Sequence, residues 1–187
     1  MIRLHLFVAC LLLTAPAVSA QTVILPPPAL DERRAALRDE LLHFRDTLNT
    51  IDAAAARLQR DFRQASTASL LSRARVMRDA CARSVRNVAP ARTAVLAAEA
   101  NDKRRLTRRA EMIEALDRLR GVLHRCQSDF EAMGRPGQEE SVRGYGNQRA
   151  IQVQSALRQY ERALASFFGA MGIKVRPLGA RRSPVTG

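Results

Sequence analysis

His43 and His124 are the two histidines beyond residue 20, and they bound what this chain could do by acid–base or metal chemistry. His43 closes the stretch Glu40-Leu41-Leu42-His43, a Glu-x-x-His spacing that forms half of the ligand set in di-iron carboxylate bundles. The second half is missing, because the matching stretch ahead of His124 begins with Gly121. His43 lies between the apolar positions Leu41 and Phe44, and His124 directly follows the apolar position Leu123, so both imidazoles are expected on outward faces. No Cys-x-x-Cys-His haem attachment sequence is present. Met77, Met133 and Met171 fall at apolar spacing and read as core filler rather than axial ligands. No Gly-x-Ser-x-Gly, phosphate-loop or paired-carboxylate pattern occurs on a suitable element. The expectation is a protein with no catalytic residue, no metal and no cofactor, and a cofactor-binding electron carrier is the least supported reading.

Cys81 and Cys126 are the cysteines that remain once Cys10, inside the amino-terminal apolar run, is set aside. They are too far apart in sequence for a Cys-x-x-Cys redox pair, and a pair of this kind outside the cytoplasm is read as a structural disulfide. The remaining chemistry is cationic. Arginine dominates a formal net charge of +13, and the excess is segregated. Residues 21–66 and 110–171 are each charge-balanced, whereas residues 67–109 hold eleven basic and three acidic side chains. Lys103, Arg104, Arg105, Arg108 and Arg109 cluster there and are the candidate anion-binding residues, suited to phosphates or carboxylates. Aromatic residues are not interleaved with them, which argues against nucleic acid as a partner.

The elements that must position these residues are helical. The chain has two Tyr, six Phe and no Trp, and its long Ala-, Leu- and Arg-rich runs lack the segments that strands prefer. Leu37, Leu41, Phe44, Leu48, Ile51, Ala55, Leu58, Phe62 and Ala65 alternate in steps of four and three, the mark of a long helix packing on other helices. A turn with N-cap chemistry follows at Ser66-Thr67-Ala68-Ser69. A second such series runs from Leu70 through Ala74, Met77, Cys81, Ser84, Val88, Ala91 and Val95 to Ala98, with Pro90 inside it. A third is Leu106, Ala110, Ile113, Leu116, Leu119, Leu123, Cys126, Phe130 and Met133, closed by Gly134-Arg135-Pro136-Gly137. Residues 134–146 read as a loop, after which Asn147 caps a fourth helix carrying Val153, Leu157, Tyr160, Leu164, Phe167 and Met171.

The cysteines decide how the second and third helices meet. A turn near residue 103 places Cys81 and Cys126 level on antiparallel neighbours, whereas a turn at Pro90 would separate them by roughly 40 Å at 1.5 Å per residue. The predicted fold is therefore an all-α, up-and-down antiparallel bundle of four long helices with coiled-coil-like packing, joined by one disulfide. It spans residues 29–171, with the second helix running from about 67 to 101 through a kink at Pro90.

The flanking segments suggest where the chain works. Met1-Ile2-Arg3, the apolar run Leu4 to Leu13 and Val18-Ser19-Ala20 have the anatomy of a signal peptide cleaved after Ala20. A Pro-rich leader, residues 21–28, precedes the first helix, and residues 172–187 read as a basic disordered tail. The expected location is periplasmic or secreted, with no transmembrane segment in the mature chain. The resulting functional expectation is a non-enzymatic binding or structural bundle whose basic end meets anionic lipid, lipopolysaccharide or an acidic envelope protein. The alternative is a periplasmic chaperone that holds client proteins.

Overall fold

The computed structural model describes residues 30–60 and 62–174. The expected signal peptide, the leader and all but the first residues of the tail lie outside them. Helix α1 spans Leu30–Gln59, α2 Thr67–Ala97 and α3 Lys103–Met133; a short α4, Glu139–Ser141, leads through a π-helical turn, Val142–Gly146, into α5, Asn147–Met171. Helices α1, α2, α3 and α5 form the antiparallel bundle, with α1 on α2, α2 on α3, α3 on α5, and a thinner α1–α5 contact closing the ring.

The α2 series is buried at every position from Leu70 to Ala98. Its N-terminus is capped by Ser66, whose hydroxyl oxygen accepts from the Ser69 N–H at 3.3 Å. Pro90 sits inside α2 with its ring exposed, so the helix continues through it rather than ending there. Ser84, the buried polar residue among the described positions, donates its hydroxyl to the Thr47 carbonyl of α1 at 3.5 Å. Cys81 and Cys126 are disulfide-bonded, with Cα atoms 6.1 Å apart across the α2–α3 interface. This agrees with the level placement expected from a turn near residue 103.

Three boundaries differ from the sequence expectation. Helix α1 stops at Gln59 rather than near residue 65, and Phe62 and Ala65 reach the core from the connecting loop. Arginines hold that loop's carbonyls: Arg73 donates to the Arg60 oxygen at 2.5 Å and Arg143 to the Ala65 oxygen at 3.0 Å. Helix α2 ends at Ala97, a few residues before the expected limit. The largest difference lies between residues 139 and 147, where the expected loop is helical and Asn147, in right-handed helical geometry, caps nothing. Gly146 is buried, and a Cβ there would lie 3.3 Å from Val142 Cγ1, so its absence eases packing within the π turn itself, while the contacts to Leu58 and Phe130 at 3.9 and 4.0 Å are ordinary. The chain reversal itself is confined to residues 134–138, where Gly137 takes φ +82°, a conformation that favours glycine.

Candidate functional site

The basic end is built by the α2–α3 connection. Ala98 ends α2, its N–H returning to the Val95 carbonyl, and Asp102 caps α3 by accepting the Arg105 N–H at 2.9 Å. Asp102 also lies 3.4 Å from the Arg105 side chain.

The five candidate residues then divide. Counting back from the buried Leu116 in steps of four and three leads to Met112, Arg109 and Arg105, not to Ile113, Ala110 and Leu106. Met112 is fully buried, whereas Leu106 is 47% exposed. The seam at the start of α3 therefore lies one residue away from the apolar series Leu106, Ala110 and Ile113, because arginines occupy it there. Both arginines use that position structurally. Arg105 Nε donates to the Ala170 carbonyl at 3.3 Å, and Arg109 Nη1 donates to the Ala98 carbonyl at 3.0 Å. These are carbonyls at the C-terminal ends of α5 and α2, where helices leave acceptors unpaired and the macrodipole favours a cation.

The other three face solvent. Arg108 pairs with Glu111 at 2.6 Å on the α3 surface. Lys103 and Arg104 are exposed and have no ion-pair partner among the described residues. Leu96 in the last turn of α2 and Leu106 in the first of α3, 48% and 47% exposed, place large apolar side chains at the same end. The solvent-facing cationic set is thus smaller than the five-residue cluster, and two exposed leucines lie at the same end of the bundle.

Beside it, between the N-terminal part of α1 and the C-terminal part of α2, runs a groove of about 1010 Å³. The α2 wall is made of short side chains, among them Ala94 and Ala97, whereas α1 contributes Ala36 and Leu37 between charged residues, and Met171 of α5 also lines the groove. Arg33 of α1 reaches Glu99 beyond α2 in an ion pair between the two walls. Nothing in the alternation of apolar residues signals this groove, because alanine marks a buried seam and a void equally well.

A second polar feature lies on the α1–α5 seam. The Tyr160 ring packs edge-on against Phe44, centroids 5.5 Å apart, and its buried hydroxyl has no hydrogen-bond partner among the described residues. Burial, reinforced by the neighbouring Glu161 carboxylate, raises the phenol well above its ordinary range. Burial likewise raises the half-buried Glu161, with the Arg45 guanidinium partly opposing it. Further along the seam, Gln59 donates to Gln154 at 3.1 Å and Gln154 to Asp52 at 2.9 Å.

His43 and His124 are exposed, as their registers predict. Met77, Met133 and Met171 lie in the core. Among the described residues no group of three or more His, Cys, Asp or Glu is arranged to hold a metal ion, and no helix is long and apolar enough to cross a membrane. No family model, curated protein or solved structure matches the chain.

Proposed function

We propose that the protein is an exported, non-enzymatic binding bundle whose α2–α3 end attaches to an anionic lipid surface of the cell envelope. The observation that carries this reading is the pairing of two uncompensated cations, Lys103 and Arg104, with the exposed Leu96 and Leu106 at one tip. Cations draw the tip to phosphate-bearing headgroups, and partly exposed leucines gain by entering the apolar boundary beneath them. An acidic protein supplies the same negative charge, but the exposed leucines favour a surface with an apolar layer, which phospholipid and lipopolysaccharide both present. Export through a signal peptide cleaved after Ala20 would bring the tip to such a surface.

The test is sedimentation with vesicles of anionic phosphatidylglycerol or neutral phosphatidylcholine at low and physiological salt. Binding should require the anionic lipid and weaken as salt rises, because exposed charges are screened over about 8 Å at 0.15 M. The combined variant Lys103→Gln, Arg104→Gln, Arg108→Gln, which leaves the capping Arg105 and Arg109 in place, should bind about tenfold less, the equivalent of ~1.4 kcal/mol. Equal binding by parent and variant at every salt concentration would overturn the reading.

A client-holding chaperone is the second reading, and the groove is the observation that favours it, since an exposed apolar surface is what an unfolded chain would occupy. Suppression of aggregation of a reduced, unfolding test protein by the same triple variant would support it over lipid attachment.

A further inference from the structure

The groove between α1 and α2 has a volume of about 1010 Å³, at the upper end of the range of specific small-ligand sites, ~300–1,000 Å³. Its rim does not select a charged occupant. Glu32, Glu40 and Glu99 balance Arg33, Arg34 and Arg105, and Arg33 is engaged with Glu99. An anionic headgroup would meet as many carboxylates as guanidinium groups, so the complementary occupant is uncharged and apolar.

Such a segment lies in this chain next to the groove. Residues 22–29, Thr-Val-Ile-Leu-Pro-Pro-Pro-Ala, carry no charged side chain and join α1 at Leu30, immediately before the groove residues Glu32 and Arg33. We propose that Val23, Ile24 and Leu25 of the same molecule occupy this groove, with the three prolines as the spacer that delivers them. The reach fits. At ~3.1 Å per residue, the four steps from Ala29 to Leu25 cover about 12 Å when the chain doubles back along α1. At 1.5 Å per helical residue the same distance reaches from Leu30 to about residue 38. Leu37 and Glu40 are the groove residues of α1 at that depth, and Ala94 lines the α2 wall. A stiff proline spacer also loses little entropy on docking, and tethering beside the groove gives the segment an effective concentration in the ~mM range that a free ligand would have to exceed. The inference is independent of the lipid-binding tip.

The chain contains no tryptophan, so Leu25→Trp introduces a single reporter into protein purified after export, when any processing of the amino terminus is complete. Seated in the groove, the indole should emit at blue-shifted wavelength and resist acrylamide with a quenching constant several-fold below that of the unfolded chain. Adding Ala94→Arg, or Ala36→Arg on the opposite wall should the first variant fail to fold, should return emission and quenching to solvent-exposed values. Helical circular dichroism should stay unchanged. Emission typical of water in the otherwise unaltered chain would overturn the proposal. So would protection that grows with protein concentration, which would place the segment in the groove of a second copy, or protection indifferent to both arginine substitutions.

Discussion

At the end of the bundle where α1 gives way to α2, Leu58, Leu70, Phe130 and Val142 are fully buried, with the π turn packed there. At the opposite end Ala36, Ala94 and Ala97 line a groove of about 1010 Å³. Helices α1, α2 and α3 have 30, 31 and 31 residues, but α5 has 25, and the α4 and π-helical segment ahead of it adds a cover at the sealed end that the open end lacks; this extra segment, together with the small side chains of the α2 wall, separates a sealed end from an open one. Both ends are finished by the same device. Arg73, Arg75 and Arg143 hold loop and helix-end carbonyls at the sealed end, as Arg105 and Arg109 do at the open one. These five arginines are thus held by backbone acceptors, which fixes their heads at the bundle ends without cancelling their charge.

Core truncation should affect the two ends unequally. Phe130→Ala removes a fully buried ring from the sealed end and should cost ~3–5 kcal/mol. Leu37→Ala, at a residue 9% exposed that already borders the groove, should cost about 2 kcal/mol, at the bottom of the range for buried leucines, because fewer atoms lose contacts. Urea unfolding of both variants checks this. Equal losses would mean that the groove end is packed as tightly as the sealed one.

How much of this was legible in the sequence follows the same division. The 4–3 series of α2 reads correctly from Leu70 to Ala98, because apolar and alanine positions fall where neighbours bury them on both sides. The level placement of Cys81 and Cys126 likewise follows from chain length and helix rise alone. The start of α3 misreads because Arg105 and Arg109 occupy seam positions where their heads reach helix-end carbonyls, a use of arginine that a hydrophobic pattern counts as polar. The start of α5 misreads because Gly144 and Gly146 resemble loop residues, although at Gly146 the glycine serves close packing within a helical turn. The groove depends on the alanine-lined face of α2 and the facing side of α1 not filling the space between them, which is a property of the pair and not of either sequence.

A smaller effect sharpens the division of labour among the basic residues. Arg105→Gln with Arg109→Gln removes two charge-assisted bonds to the ends of α5 and α2 and should cost ~1–2 kcal/mol, because both side chains are only partly buried. The exposed set Lys103→Gln, Arg104→Gln, Arg108→Gln should change stability by no more than ~0.5 kcal/mol. Thermal unfolding at matched ionic strength separates the two classes. If both sets cost the same, the seam arginines do not secure the open end, and all five belong to one surface.

The smallest effect concerns the seam that joins the two ends on the α1–α5 side. Burial raises the Glu161 carboxyl above its ordinary value of about 4.3 even though Arg45 partly opposes the shift. The native chain therefore holds this proton at pH values where the unfolded chain has released it. Because the native state binds more protons in that window, the contribution of Glu161 to stability is most favourable at low pH and declines as pH rises through and beyond the ordinary carboxylate range. Glu161→Gln cannot ionise and should lose this decline. Urea midpoints measured between about pH 4 and pH 7 should find the variant gaining on the parent as pH rises, with carboxylates elsewhere affecting both proteins alike. The same change at the Tyr160 hydroxyl is a useful companion. Tyr160→Phe removes an unpartnered buried group and should leave stability unchanged or slightly higher, since no hydrogen bond is lost. Should Glu161→Gln instead lose ground as pH rises, attraction to Arg45 outweighs burial, and the α1–α5 seam is held by an ion pair rather than merely tolerating a buried acid.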